Sequence, residues 1–389
     1  MENAGRSAAL VLDRLFPHGP VVALVGAGNN GGDALVVLRN LAAWGREVRG
    51  VLVADRAPPE VVLHGWDLPL VQDAELSDDG AAWDLALSGA GVLVDGLLGT
   101  GLSGAPRERQ ARAIEAANRS DAPVFSLDAP SGADAGTGAL PGAAIRADVT
   151  VALGWPKLGC LLHPARAVTG RLIAVEIGFP DPGPDRFPAR LITPTWADRR
   201  RPARALATHK NAVGNALIVA GGDGMAGAAV LASRAAIRSG AGYVRVASTA
   251  SNRAILQEAV PDAVFVDRSD RRALLDAVAA AGSVVLGPGM GTGDEAASVA
   301  RAVFEAAADR PVLLDADVLT LSVGGGGPSV QDWARRGPTL VTPHPGEMAR
   351  LMGTDAEAVN AARIESAESF AASTGALSLI HISEPTRPS

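Results

Sequence analysis

Short apolar runs alternate with helical stretches along this chain, and this alternation constrains the fold more than any other feature. In the first half, runs rich in β-branched residues predict strands, and longer stretches between them predict helices. The predicted strands span 21–25, 47–53, 92–94, 124–127, 149–153 and 172–177, and the predicted helices span 33–44 and 105–118. Such a pattern is typical of a parallel sheet that is flanked by helices. We therefore predict an α/β fold.

The same alternation resumes after residues 183–205, which are rich in proline, aspartate and arginine and are predicted to form a linker. Beyond them, strands are predicted at 216–220, 243–247, 283–286, 312–314 and 339–341, and helices at 226–239, 272–280, 295–307 and 345–352. Because a single core seldom grows past ~250–300 residues, we expect the 389 residues to form two domains. The predicted domain bounds are 1–182 and 206–377.

Composition narrows the class of protein. The chain is 48% hydrophobic and 20% charged, which is enough apolar material for two cores. A net charge of −7 argues against a nucleic-acid partner, since such partners favour basic surfaces. The single cysteine, Cys160, excludes an internal disulfide and a cysteine-based zinc site. The apolar runs are far shorter than the ~20 residues of a membrane helix, so we expect no membrane partner and a cytoplasmic location.

The first glycine-rich motif, VGAGNNGGDALVVLRNL, covers Val25 to Leu41. A strand, several glycines and a helix start form a cradle for an anion or a nucleotide, because the glycine backbone allows close approach. The motif differs from the dinucleotide fingerprint G-x-G-x-x-G. Asn29, Asn30 and Asp33 add amide and carboxylate oxygens that suit a polar ligand or a hard monovalent cation. The alternative is a tight turn in which Asp33 only stabilises the helix start.

Two further strands end in polar residues beside glycines. Asp95 begins the motif DGLLGTGLSG, and Asp128 and Ser131 lie in DAPSG. Parallel strands bring their carboxyl ends to one edge of the sheet, where open α/β folds bind ligands. A single aspartate at such a place is usually a turn or cap residue. Three strand ends with this character favour one shared binding crevice.

The motifs MENAGRSAA, GAGNNGGD, VDGLLGTG and DAPSG, in this order, resemble the NAD(P)H-hydrate epimerase family. The resemblance covers nearly the whole first half and implies a Rossmann-like, three-layer α/β/α domain. It implies that a potassium ion is held by Asn30, Asp95 and Ser131, and that Asp128 exchanges the proton during epimerisation at the hydrated ring carbon. It places the hydrated nicotinamide nucleotide against Asn29, Asn30, Gly31, Gly32, Asp33, Gly99, Thr100, Gly101, Leu102, Ser103, Gly104, Ala105 and Asp128.

Several positions depart from the epimerase pattern. Ala34 stands where the family usually has glycine and Leu98 where it has an aromatic residue, and the family usually has a basic residue near Gly104. The family also carries a helix before the MENAG motif, and we expect that helix to be missing here. A homo-oligomer is expected.

The second half carries GGDGMAGAAVLA, LGPGMG, LLDADVL and VTPHPGEM. Singly these are weak signals, since Pro345 and Glu347 suit a helix start and a lone histidine such as His344 is usually a cap or surface residue. Together with HKNAVG they resemble the NAD(P)H-hydrate dehydratases, which are ribokinase-like α/β proteins. The resemblance implies substrate contacts at Ala228, Gly289 and His344. It also implies ADP or ATP as phosphate donor, with Mg²⁺ bridging the phosphates.

The dehydratase pattern includes a later Gly-x-Gly-Asp, and none follows Gly375. Residues 378–389, SLIHISEPTRPS, resemble translated sequencing-adapter read-through. We therefore expect an incomplete ribokinase-like domain, a non-native tail over 378–389, and a chain that equilibrates the hydrate epimers without restoring NAD(P)H. Two alternatives are a non-enzymatic nucleotide-binding or interaction module and a small-molecule kinase of the ribokinase type.

Overall fold

Two parallel sheets organise the computed structural model, which describes residues 1–54, 60–76, 80–102, 104–180, 183, 189–201 and 213–380. The chain divides into two units, Met1–Arg190 and Leu191–Ser389, with one sheet in each. Every strand pair within the described ranges is parallel, which confirms the predicted α/β fold class.

The first unit contains seven strands and five helices within its described residues. The strands are β1 (Val21–Gly26), β2 (Val48–Val53), β3 (Leu70–Gln72), β4 (Val92–Gly96), β5 (Val124–Leu127), β6 (Val149–Leu153) and β7 (Arg171–Val175). The helices are α1 (Glu2–Leu15), α2 (Asn29–Ala43), α3 (Glu60–Leu63), α4 (Ala81–Leu87) and α5 (Glu108–Arg119), with short 3-10 helices at Asp73–Glu75, Leu158–Leu161 and Ala165–Val168. The strand order β3-β2-β1-β4-β5-β6-β7 reverses direction between β1 and β4, the place where such sheets open a crevice.

Helices cover both faces of this sheet. Leu12 of α1 and Leu35 of α2 are buried in one core, which also contains Phe125 of β5. Trp83 of α4 and Ile114 of α5 are buried in a second core. The strand residues of this core alternate with those of the first, so it lies on the opposite face of the sheet. Strands that are buried on both faces have continuous apolar sequences, as VVALVG in β1 does. The predicted three-layer α/β/α arrangement is confirmed.

The start of α2 differs from the predicted start at residue 33. The helix begins at Asn29, because Gly28 is extended and acts as the cap residue. The glycines of the motif are required by close packing and not only by a turn. A Cβ on Gly31 would lie 1.9 Å from the carbonyl oxygen of Gly26. The helix predicted at 105–118 instead begins at Glu108, where the N–H of the preceding Arg107 donates to Gln110 Oε1 at 2.9 Å.

The second unit contains a second sheet with the order β10-β9-β8-β11-β12-β13-β14. Its strands are β8 (Asn215–Val219), β9 (Tyr243–Ser248), β10 (Ala263–Asp267), β11 (Ser283–Leu286), β12 (Val312–Leu314), β13 (Thr339–Val341) and β14 (Leu377–Ser378). Its helices are α6 (Pro194–Asp198), α7 (Ala226–Arg238), α8 (Arg253–Ala259), α9 (Arg271–Ala279), α10 (Asp294–Ala307), α11 (Asp317–Val323), α12 (Val330–Arg336), α13 (Pro345–Met352), α14 (Ala356–Ala361) and α15 (Arg363–Thr374), with a 3-10 helix at Ala250–Asn252. The five strands predicted for this half are confirmed.

The predicted domain bounds stay predictions. The division between the units falls after Arg190, inside the predicted linker, and α6 lies within that linker. Residues 184–188 and 202–212, which include the histidine and lysine of HKNAVG, lie outside the described residues. Ser378, the first residue of the predicted tail, pairs with Val341 in β14, and 381–389 lie outside the described residues. Over the described ranges, no helix combines the length and apolar character needed to cross a bilayer.

Candidate active site

The carboxyl ends of β1, β4 and β5 bring the predicted site residues together beside the strand-order reversal. Asp95 lies in β4, and Ser131 lies in the loop after β5. The Ser131 hydroxyl donates to Asp95 Oδ1 at 2.5 Å, and its backbone N–H donates to Oδ2 at 2.8 Å. The structure therefore brings residues from two separate strand ends into contact, and their shared binding crevice stays a prediction.

Asp95 is completely buried, and its hydrogen bonds come from neutral groups. In addition to Ser131, the Ser126 hydroxyl donates to it at 2.8 Å and the Leu97 N–H at 3.3 Å. Burial raises the pKa of Asp95, while the hydrogen bonds from Ser131, Ser126 and Leu97 act in the opposite direction. Among the described residues, no cationic side chain pairs with this carboxylate.

Asn30 reaches the same crevice from the first turn of α2. Its side-chain Nδ2 donates to the carbonyl of Leu98 at 2.8 Å and to that of Leu127 at 3.2 Å. The N–H of Leu98 donates to the Ser131 hydroxyl at 2.8 Å, so both backbone groups of Leu98 are engaged. Asn30 Oδ1 is buried and has no hydrogen-bond partner. Asn30 and Ser131 therefore meet at Leu98, and Ser131 in turn contacts Asp95.

Asp128 directly follows β5 in a left-handed conformation with φ of +68°. This conformation is uncommon outside glycine, and aspartate tolerates it better than most residues. The Asp128 N–H donates to the carbonyl of Val151 at 2.8 Å, and Asp128 Oδ1 accepts from the Leu153 N–H at 3.2 Å. Oδ1 also contacts the Lys157 ammonium. The sequence reasoning missed Lys157, although it follows the end of β6 at the same sheet edge.

Asp33 is the acidic residue of the α2 motif and is only 8% exposed. Its Oδ1 is buried without a hydrogen-bond partner. Burial raises the pKa of Asp33 to about 6, and the nearby Asp128 carboxylate acts in the same direction. The N-terminal ammonium of Met1 and, more weakly, the Lys157 ammonium act in the opposite direction. The Asp33 carboxyl is therefore influenced by one other carboxylate and by two ammonium groups.

We expect Asp33→Asn to stabilise the first unit. A carboxyl whose folded pKa is raised above 3.8 destabilises the fold when ionised, so this penalty is fully present above the folded value near 6. The variant should gain on the order of 2 kcal/mol at about pH 7.5, or several degrees in Tm. Thermal unfolding measured between about pH 4 and 8 checks this, and the gain should shrink as the pH falls from 6 to 4. Equal melting temperatures at neutral pH would contradict it.

The remaining predicted contacts differ in their exposure. Asn29 is exposed, whereas Gly31 and Gly32 are buried in α2. The loop from Gly99 to Ala105 begins beside Asn30, since a Cβ on Gly99 would lie 3.4 Å from Asn30 Cβ. Within that loop Thr100, Gly101, Gly104 and Ala105 are exposed, Leu102 is partly buried, and Ser103 lies outside the described residues.

In the second unit, two glycine loops lie side by side at the carboxyl edge of the sheet. The N–H groups of Gly221 and Gly222 donate to the carbonyls of Pro288 and Gly289 at 2.9 and 2.5 Å. Gly289 has φ of +60°, and a Cβ there would lie 2.8 Å from Ala228 Cβ. The structure therefore brings the predicted contacts Gly289 and Ala228 together.

His344 follows β13 at the same sheet edge. Its Nδ1 accepts from the Gly346 N–H at 3.1 Å, and Glu347 accepts from the His344 N–H at 3.0 Å. The helix-cap role considered for His344 is confirmed, and its substrate contact stays a prediction. Sequence reasoning missed Arg268, which is buried, donates to the carbonyl of Met290 at 3.1 Å and pairs with Glu295.

Both units of the chain match models of known protein families. One family model, described as YjeF-related protein N-terminus, matches residues 1–159, and another, described as NAD(P)H-hydrate dehydratase, matches residues 216–381. Among solved structures, an ADP/ATP-dependent NAD(P)H-hydrate dehydratase from Bacillus subtilis, co-crystallised with ATP/Mg²⁺, is 27% identical. That match covers 49% of this chain and 65% of the other, with a TM-score of 0.40.

Curated relatives match across both units at once. The bifunctional NAD(P)H-hydrate repair enzyme of Thermofilum pendens is 35% identical over 391 residues, covering 94% of this chain and 72% of the relative. The enzyme of the same name from Escherichia coli is 34% identical over 390 residues, covering 98% and 72%. Because similarity at this level spans more than two thirds of each relative, the chain belongs to the family of bifunctional NAD(P)H-hydrate repair enzymes, which combine an epimerase and a dehydratase domain.

Proposed function

We propose that the first unit interconverts the R and S epimers of NAD(P)H-hydrate at the crevice beside β1, β4 and β5, with Asp128 as the acid/base. The placement of Asp128 carries this proposal. Its carboxylate lies at a strand end in the crevice and is oriented through one oxygen by Leu153 and Lys157. A general acid or base needs such an orientation before it can exchange a proton with a bound substrate.

The surrounding backbone suits a nucleotide substrate. The first turn of α2, from Asn29 to Asp33, offers helix N–H groups, which attract phosphate. Gly28, Gly101 and Gly104 have open space where a side chain would lie, so a ligand could approach their backbone closely. We assign nucleotide binding to this turn, to the Gly99–Ala105 loop and to Asp128.

A potassium ion fits the residues that are present. Asn30 Oδ1 is buried without a partner, and Asp95 is a buried carboxylate without a cationic neighbour among the described residues. Ser131 adds a third oxygen, and oxygen donors suit a hard cation. Asn30, Asp95 and Ser131 would hold the ion, which would supply positive charge to offset the buried carboxylate.

Epimerisation is expected to depend on potassium. Initial rates of R-to-S conversion, followed by chromatographic separation of the epimers, should exceed the protein-free rate in potassium buffer and fall in tetramethylammonium buffer. Ser131→Ala should raise the potassium concentration for half-maximal rate by about tenfold, the order seen when a group that supports a metal site is lost. No rate above the blank would contradict the proposed epimerase, and a rate indifferent to potassium would contradict the proposed ion.

Ser126→Ala is the matched control for this experiment. It also removes a hydroxyl that donates to Asp95 at 2.8 Å, but Ser126 is not a proposed ligand. Its half-saturating potassium concentration should change less than that of Ser131→Ala. An equal change in both variants would assign the effect to support of Asp95 instead of ligation.

We also propose that the second unit binds the hydrate at Ala228, Gly289 and His344. In the dehydratase reaction ADP or ATP would be the phosphate donor, with Mg²⁺ on its phosphates, but no Gly-x-Gly-Asp follows Gly375, so we expect this chain not to restore NAD(P)H. The contact between Gly289 and Ala228 at the sheet edge supports this placement. Membership of a family of repair enzymes favours this role over a ribokinase-type kinase. It also favours catalysis over a non-enzymatic binding module.

A further inference from the structure

We propose that Lys157 is a positioning residue for epimerisation, holding one oxygen of the Asp128 carboxylate so that the other faces the substrate. This inference rests on the proposed acid/base role of Asp128.

Asp128, Leu153 and Lys157 close a ring of hydrogen bonds. The Leu153 N–H donates to Asp128 Oδ1 at 3.2 Å, and the Leu153 carbonyl accepts from Lys157 Nζ at 3.0 Å. Lys157 Nζ also donates to Asp128 Oδ1, which completes the ring. The side chains are 19% exposed for Lys157 and 15% for Asp128, so solvent screens this pair only partly. The ring fixes the carboxylate from the side of β6.

The other oxygen of the Asp128 carboxylate, Oδ2, is available to exchange a proton with the substrate. Both hydrogen bonds to the Asp128 side chain end on Oδ1, and no described residue donates to Oδ2. A carboxylate held through one oxygen can exchange a proton through the other, provided its rotation is restricted. Lys157 and Leu153 together supply that restriction.

The choice of lysine fits this role. Lys157 and Lys210 are the only lysines among 35 lysine and arginine residues, so arginine supplies nearly every other positive charge in the chain. An arginine guanidinium tends to bind both oxygens of a carboxylate as a fork, whereas a lysine ammonium is a compact point charge. A lysine can therefore hold Oδ1 without occupying Oδ2.

The Lys157 charge also acts on a second carboxyl group. Asp33 lies close enough for the charges of both Asp128 and Lys157 to influence it, in opposite directions. Without the Lys157 ammonium, Asp33 would lose one of the two positive charges that act on it, and Asp128 would lose one of its two side-chain contacts. Its strained backbone, with φ of +68°, depends on the surrounding contacts to persist.

The test uses Lys157→Met, which keeps the length of the side chain and removes its charge. We expect kcat for epimerisation to fall by about tenfold to a hundredfold, within the range for a misplaced acid/base group. KM should stay within about twofold, because the substrate contacts proposed above are retained. Arg166→Met is the matched control: it removes a positive charge that donates to the Gly170 carbonyl, and its kcat should be unchanged.

Chemical rescue separates positioning from a structural role. In Lys157→Ala, ethylammonium should restore part of the lost rate, whereas tetramethylammonium, which cannot donate a hydrogen bond, should not. Adding Lys157→Met to Asp128→Asn should cause no further loss, because residues that act as a unit are not additive. Failure of rescue, or a further loss in the double variant, would overturn the inference.

The two proposals can fail separately. If Asp128→Asn keeps its rate, the proposed acid/base is wrong, whatever Lys157 does. If Asp128→Asn loses its rate while Lys157→Met keeps the wild-type kcat, the role of Lys157 is wrong and that of Asp128 stands. Melting temperatures of all variants show whether a lost rate reflects unfolding.

Discussion

Asp128→Asn should lower the rate of epimerisation by about 10²–10⁴-fold, the usual contribution of a positioned acid/base group. The asparagine amide has the same size as the carboxylate but cannot act as a general acid or base. Asparagine also tolerates the left-handed conformation of this position, with φ of +68°, so the backbone should be preserved. Initial rates of R-to-S conversion at saturating hydrate, together with the melting temperature, measure the two effects separately.

Asp134→Asn is the control for that loss. Asp134 lies in the same loop after β5, and its carboxylate accepts from the N–H groups of Gly136 and Thr137 in its own turn. The same substitution there should leave the rate close to that of the wild type. If Asp128→Asn retained more than about a tenth of the activity, the assignment of the acid/base would fail.

The second large effect concerns stability, and we expect Gly31→Ala to unfold or severely weaken the first unit. A Cβ on Gly31 would lie 1.9 Å from the carbonyl oxygen and 2.7 Å from the carbonyl carbon of Gly26, which is fixed in β1. Overpacking against an immobile backbone should cost about 3 kcal/mol or more. Folded domains are stable by only ~5–15 kcal/mol, so a large fall in Tm or in the yield of folded protein is expected.

Gly28→Ala provides the comparison within the same motif. Gly28 is extended, with φ of −93°, and has no atom within 4 Å of the position of an added Cβ. Alanine there should change the free energy of unfolding by less than about 1 kcal/mol. Thermal unfolding of the two variants side by side measures the difference, and similar melting temperatures would refute the packing argument.

Sequence patterns were sufficient for the sheet and for part of the site. Strands such as β1 and β6 are buried on both faces, so their apolar runs were visible without the fold. Asp95 and Ser131 were predictable as neighbours because parallel strands place their carboxyl ends at one edge.

Other features depended on tertiary contacts that no local pattern records. The start of α2 depends on packing of Gly31 against β1, and a glycine-rich helix turn reads locally as a loop. Lys157 contacts Asp128 only because β6 pairs with β5 in the sheet. No sequence pattern around Asp128 indicates this contact. The edge strands β3 and β10 were missed because they are short or partly exposed and therefore lack a strong apolar signal.

The position of Leu98 has a thermodynamic consequence. Its carbonyl accepts from Asn30 and its N–H donates to Ser131, while the next residue begins the loop to which we assign nucleotide binding. An ion that orders Asn30 and Ser131 would thus lower the entropy still to be lost when that loop binds a ligand. Linkage requires reciprocity, so the factor by which the ion tightens nucleotide binding must equal the factor by which the nucleotide tightens ion binding.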